Sequence, residues 1–223
     1  MPTKTNREIW RLEKEIKSTI LAVVKRRAEA SYEKDLLQMI VDSASHYIDI
    51  NSLSLGMTRD KFIVDNCKTI YLAGHETIAT TASWSLMLLA ANPEWQARAR
   101  AEVLEIYRDG VPNADMLQSI KIVSYHGYSR DARLYPPAVY VVREALEDMK
   151  LKNILHAYVP FGVGNRICAG QHLAMMELKV ILSLILSKFC FSLSSPAYQH
   201  CPTFSLVTEP RDGVTLHRRK LQL

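Results

Sequence analysis

From Thr58 to Ala91 no proline interrupts the chain, and Gly74 is the sole glycine. Thr58 suits the N-cap of a helix, Asp60 suits its first turn, and Asn92-Pro93 stops it. At a rise of ~1.5 Å per residue such a helix crosses a whole domain, and one that long has to be enclosed by others. Its longest uncharged apolar-rich run, Thr77 to Ala91, is shorter than the ~20 residues a bilayer requires. Asp65, Lys68, His75 and Glu76 precede that run and are costly in lipid. The segment therefore reads as a buried central helix, which makes the fold mainly α: a helical bundle around one long helix.

The flanking sequence agrees. Ile9, Leu12, Ile16, Ile20, Val23 and Val24 recur at three- and four-residue spacing, the pattern of an amphipathic helix. Leu36, Leu37, Ile40 and Val41 suggest a second, with a loop around Asn51 to Met57. Asn92 caps a further helix that Pro93 opens and Gly110 ends. Periodicity fails from Ser124 to Asp131, and Pro136-Pro137 forces an extended segment that leads to a strand over Val139 to Val142. After Pro160 a glycine-punctuated loop enters a helix with Leu173, Met176, Val180, Ile181, Leu184 and Ile185 on its apolar face. Phe204 to Val207 and Val214 to Leu216, around Pro210 and Gly213, read as a β-hairpin near the C-terminus. The net charge of +5 is scattered apart from Lys25-Arg26-Arg27 and Arg218-Arg219-Lys220. Runs this short read as a solvated helix face and a terminal tail rather than a nucleic-acid surface. No zinc spacing links Cys67, Cys168, Cys190 and Cys201, and free thiols are expected. Three of them read as small core fillers.

Cys168 is the exception. It lies in Phe161-Gly162-Val163-Gly164-Asn165-Arg166-Ile167-Cys168-Ala169-Gly170, just before a helix whose N–H groups stabilise a thiolate. Gly162 and Gly164 let the backbone approach a flat ligand, Gly170 permits close packing, and Arg166 can pair with a carboxylate. In the long helix, Gly74 interrupts Ala73-Gly74-His75-Glu76-Thr77 at about 1 kcal/mol against alanine, so a packing or ligand reason is expected. Glu76 and Thr77 place an acid beside an alcohol, a pair able to relay protons.

These two stretches, in this order, resemble the cytochrome P450 family. The cysteine loop matches its haem-binding signature F-G-x-G-x-R-x-C-x-G throughout, and Ala73 to Thr77 match its central-helix motif. The resemblance implies that Cys168 ligates the iron of haem b, Arg166 meets a propionate, and Phe161 packs on the sulfur side of the ring. It also implies that Gly162, Gly164 and Gly170 shape the loop, Ala73 and Gly74 face the haem, and Glu76 and Thr77 assist oxygen protonation. His75 is then a helix residue and not a ligand. The implied activity is a haem-thiolate monooxygenase that inserts one atom of O2 into a hydrophobic small molecule. Its electrons come from an NADPH-dependent cytochrome P450 reductase at the cytosolic face of the endoplasmic reticulum membrane. Arg133 to Glu144 and Cys201 to Gly213 resemble plant microsomal members similar to gibberellin-oxidising ones.

Residues 1–223 are expected to form a single partial cytochrome P450 domain that lacks the family's N-terminal part and membrane anchor. Arg133-Leu134-Tyr135-Pro136-Pro137 matches the end of the family's E-x-x-R segment, with Arg130 at the glutamate position. An unpaired Arg133, if buried, costs several kcal/mol. The span from Arg133 to Cys168 is shorter than the family's, which suggests an internal deletion near 124–157. Two alternatives stand beside the enzyme: a non-catalytic remnant of the family, and a helical interaction module.

Overall fold

A computed structural model describes residues 2–29, 33–51, 57–107, 113–121, 123, 131–141, 159–195 and 198–221. The chain divides into two compact units, Met1–Ala73 and Gly74–Leu223.

The first unit holds α1 (Lys4–Glu29), α2 (Leu36–Asn51) and the start of α3 (Arg59–Ala91). Val24, Ala44 and Ile63, one from each helix, form its core. Asp35 caps α2, its carboxylate accepting from Gln38 N at 2.9 Å, and Arg27 reaches both Asp35 and Glu33 across the join from α1. Thr58 caps α3 as expected: its Oγ1 accepts from Lys61 N at 3.2 Å. The expected loop at 52–56 lies outside the described residues.

The second unit continues α3 and adds α4 (Pro93–Tyr107), α5 (Ala114–Ser119), the single turn α6 (Asp131–Leu134) and α7 (Gln171–Lys188). Its core joins Ala82 and Leu89 of α3 with Ala99 and Val103 of α4 and Leu178, Leu182 and Leu186 of α7. A small number of polar anchors set α7 against α4. Gln96 is fully buried; its amide donates to Leu89 O and Phe191 O, and its carbonyl accepts from Phe191 N at 2.8 Å. Arg100 donates to Leu186 O and Phe189 O, satisfying carbonyls at the C-terminal end of α7. Lys179 donates to Leu117 O at 2.9 Å, which ties α7 to α5.

Several expectations are corrected. Asn92 does not cap α4 with its side chain; the amide donates backwards to Leu88 O at 2.7 Å and closes α3 instead. The end of α4 at Gly110 lies outside the described residues. Val139 to Val141 form no strand, because no neighbouring strand supplies a ladder among the described residues; Val142 lies outside them. The C-terminal hairpin has another register: β2 (Pro202–Phe204) pairs with β3 (Thr208–Pro210), and Ser205 to Val207 make its turn. Leu216 belongs to β4 (Leu216–Lys220), which pairs with β1 (Phe189–Leu193), so Arg218-Arg219-Lys220 are strand residues and not a tail. Arg133 is exposed, which removes the buried-charge penalty, and Arg130 is outside the described residues. Cys201 is exposed and cannot be a core filler; Cys67 and Cys190 are half-buried, and all four thiols are free.

Candidate haem-thiolate site

The loop before α7 is built by its glycines. Gly162 and Gly164 adopt φ of 74° and 76°, the left-handed region that side chains other than glycine resist. Gly162 N donates to Val159 O at 2.8 Å, and a 3-10 turn over Gly164–Arg166 is closed by Ile167 N to Gly164 O at 3.1 Å. Cys168 N then donates to Phe161 O at 2.8 Å. That bond returns the chain on itself, so Phe161 and Cys168, seven positions apart, share the base of one loop.

From Cys168 the chain enters α7 directly. Gln171 N donates to Cys168 O at 3.4 Å, and Ala174 N donates to Gly170 O at 2.8 Å. Gly170 is the N-cap residue and supplies no side-chain cap, which leaves the positive end of the helix dipole directed at the loop. A Cβ built on Gly170 lies 3.9 Å from Cys168 Sγ, so the sulfur sits beside the helix entrance. A Cβ on Gly164 meets nothing within 4 Å; the loop faces open space there.

The surroundings suit a large flat partner with anionic edges. Cys168 and Arg166 are exposed, as are the apolar Val163, Ile167 and Leu173. Exposed apolar side chains grouped around a thiol and a guanidinium mark a binding surface. Among the described residues no group of three or more His, Cys, Asp or Glu gathers to hold a metal. A single cysteine sulfur would suffice as the protein's donor to an iron whose remaining nitrogen ligands a macrocycle supplies. On these grounds the residues fit haem.

On α3, Gly74 has open space where a Cβ would stand, with nothing within 4 Å. The glycine thus leaves room beside the helix rather than permitting tight packing against protein. His75 Nδ1 lies 3.3 Å from Glu76 Oε1, and the Glu76 side chain is 41% exposed. Thr77 is half-buried, and its carbonyl accepts from Thr81 Oγ1 at 2.7 Å. Gly74, Glu76 and Thr77 share the second unit with the cysteine loop; Ala73 ends the first unit and is exposed. Sequence reading missed Gln96 and Arg100, which hold α7 and thereby the loop. Their i, i+4 spacing on α4 was the available signal, Arg100 Nη2 donating to Gln96 Oε1 at 2.8 Å.

The sequence matches the cytochrome P450 family over residues 1–156 and 152–217. It is 42% identical to cytochrome P450 714C2 of Oryza sativa subsp. japonica, over 99% of this chain and 50% of that protein. It is 37% identical to cytochrome P450 714A2 of Arabidopsis thaliana, over 94% of this chain and 48% of that protein. An 11-oxo-beta-amyrin 30-oxidase of Glycyrrhiza uralensis is 34% identical over 99% of this chain and 51% of its own length. The fold resembles the haem domain of a cytochrome P450DA mutant with a TM-score of 0.75, at 22% identity, over 97% of this chain and 54% of that one. The chain spans about half the length of the curated relatives it matches. The family match and these likenesses agree: the chain belongs to the cytochrome P450 family, whose cofactor is a cysteine-ligated haem.

Proposed function

We propose that this chain carries the haem site of a monooxygenase that inserts one oxygen atom from O2 into a hydrophobic small molecule, of the diterpenoid hormone class such as a gibberellin. The observation that carries the reading is the exposed Cys168 thiol, held by its bond to Phe161 O at the uncapped start of α7. Bound there, haem supplies oxygen activation at an iron whose thiolate ligand favours O–O cleavage. The chain's own residues do the rest. Cys168 offers its sulfur as thiolate, and the α7 dipole lowers the cost of that charge. Arg166, on the 3-10 turn two residues away, pairs with a propionate. Phe161 covers the sulfur side, while Gly162, Gly164 and Gly170 keep side chains out of the ring's way. Gly74 leaves open space beside α3.

Glu76 and Thr77 move protons from solvent. The partly exposed Glu76 exchanges with water, His75 Nδ1 lies within reach of its carboxylate, and Thr77 passes the proton inward. Electrons come from an NADPH-dependent reductase at the endoplasmic reticulum membrane, in keeping with the family. Among the described residues no helix is long and apolar enough to cross a membrane. That a plant relative is named for oxidation of 11-oxo-beta-amyrin supports a hydrophobic substrate.

The 223 residues form one partial family domain in this reading, shortened internally near 124–157. The alignment with the rice relative runs over 268 positions, more than this chain has, so the relative carries residues inside the matched span that this chain lacks. The family match also breaks into two overlapping segments at 152–156. The same observations favour a second reading, a remnant that no longer turns over. Oxygen consumption by the haem-loaded chain with a plant reductase and NADPH separates the two. Sustained uptake, diverted to hydrogen peroxide in Thr77→Ala, is expected of the enzyme. No reductase-dependent uptake would leave the remnant.

A further inference from the structure

Trp84 is fully buried on α3 and gathers segments far apart in sequence. Its ring stacks on Tyr135, centroids 4.0 Å apart and 10° from parallel. Its indole N–H donates to Thr208 O at 2.8 Å, and Thr208 N donates to Pro137 O at 3.0 Å. One clasp thus fastens the Tyr135–Pro137 segment and β3 to the central helix. The Tyr135 hydroxyl bonds His200 Nε2, and the His200 ring stands edge-on to Trp84 and Tyr135 at 5.7 and 5.4 Å. Exposure rises in steps along these rings: Trp84 is fully buried, Tyr135 half-buried and His200 exposed.

Indole and phenol are the aromatic side chains that give up one electron most readily, and stacked rings exchange an electron fast. What separates the two here is the fate of a proton. The Trp84 N–H faces a backbone carbonyl, which is no base. An oxidised indole there keeps its proton and its positive charge, which burial disfavours. The Tyr135 O–H faces an imidazole instead, and with the ring proton on Nδ1 the Nε2 of His200 accepts it. Burial raises the Tyr135 phenol above its ordinary range, so at neutral pH it holds the proton that oxidation must release. An electron vacancy on this pair of rings therefore settles on Tyr135.

We propose that Tyr135 is a redox-active site, with Trp84 as its inward relay and His200 as its proton acceptor. An outer-sphere one-electron oxidant takes one electron from Tyr135, directly or through the stacked Trp84, and is itself reduced. The hydroxyl proton moves to His200 Nε2, which leaves a neutral phenoxyl radical beside an imidazolium. A one-electron reductant such as ascorbate reverses both transfers. The inference goes beyond the monooxygenase reading and needs no haem. Flash photolysis of the full chain with tris(bipyridine)ruthenium and a cobalt ammine as electron acceptor tests it, the phenoxyl absorption being followed in time. The exposed Tyr71 and Tyr140 are oxidised directly, and their radicals give a short-lived reference component. A second component that outlives the first, absent in Tyr135→Phe, is expected. Tyr135→Phe keeps the ring on Trp84, and His200→Phe keeps a ring edge without the acceptor. In His200→Phe the long-lived component falls about tenfold, the worth of one charge-assisted hydrogen bond. No long-lived component in wild type, or its survival at full yield in either variant, would overturn the proposal. Electron paramagnetic resonance of the frozen wild-type chain needs no variant. A phenoxyl coupled to one exchangeable proton, the coupling lost in heavy water, is expected; a phenoxyl without that coupling would overturn the role of His200.

Discussion

Gly164 shows how single residues carry this site. Its φ of 76° is unfavourable for any L side chain, yet no atom stands where a Cβ would go. Gly164→Ala therefore meets backbone strain without a clash, and a stability loss of about 1–2 kcal/mol is expected in urea unfolding. A loss below about 0.5 kcal/mol would mean that the loop takes another conformation. The residues around Cys168 were legible because their chemistry is local: glycines permit the turn, and a helix follows at once. Asn92 and Cys201 were misread because their partners and exposure depend on packing. Asn92 chose Leu88 O behind it, and Cys201 lies on the exposed approach to β2.

Helices read from periodicity stand where expected, since α1, α2, α3 and α7 carry their signals within their own residues. Strands do not. β1 pairs with β4 through a register of Phe189 with Lys220 and Leu193 with Leu216, and nothing local to Phe189–Leu193 announces a partner more than twenty residues away. The same non-locality hid the docking of α7, which depends on Gln96. Gln96→Ala removes the side-chain partners of Phe191 N and Phe191 O, which are half-buried, and one of the donors to Leu89 O. Loss of at least about 2 kcal/mol is expected by chemical denaturation, accompanied by faster amide exchange in β1. A near-neutral result would show that α7 and β1 are held by apolar contacts alone.

At the scale of the molecule, the proposed haem-thiolate site lies on a chain that spans about half the length of its matched relatives. Several apolar side chains stay uncovered, among them Ile9, Leu12 and Ile16 along α1 and Val163 and Ile167 in the cysteine loop. The family and its cofactor were readable from two motifs. The two compact units and the Trp84 clasp were not, because they arise from contacts between segments that the sequence keeps far apart. Whether this half-length frame seats the ring turns on Cys168 itself. The most direct measurement is the absorption of the reduced, haem-supplied chain under carbon monoxide. A band at the position characteristic of thiolate-ligated haem, lost in Cys168→Ala, is the expected result. No haem band, or one that survives the loss of Cys168 unchanged, would contradict the assignment.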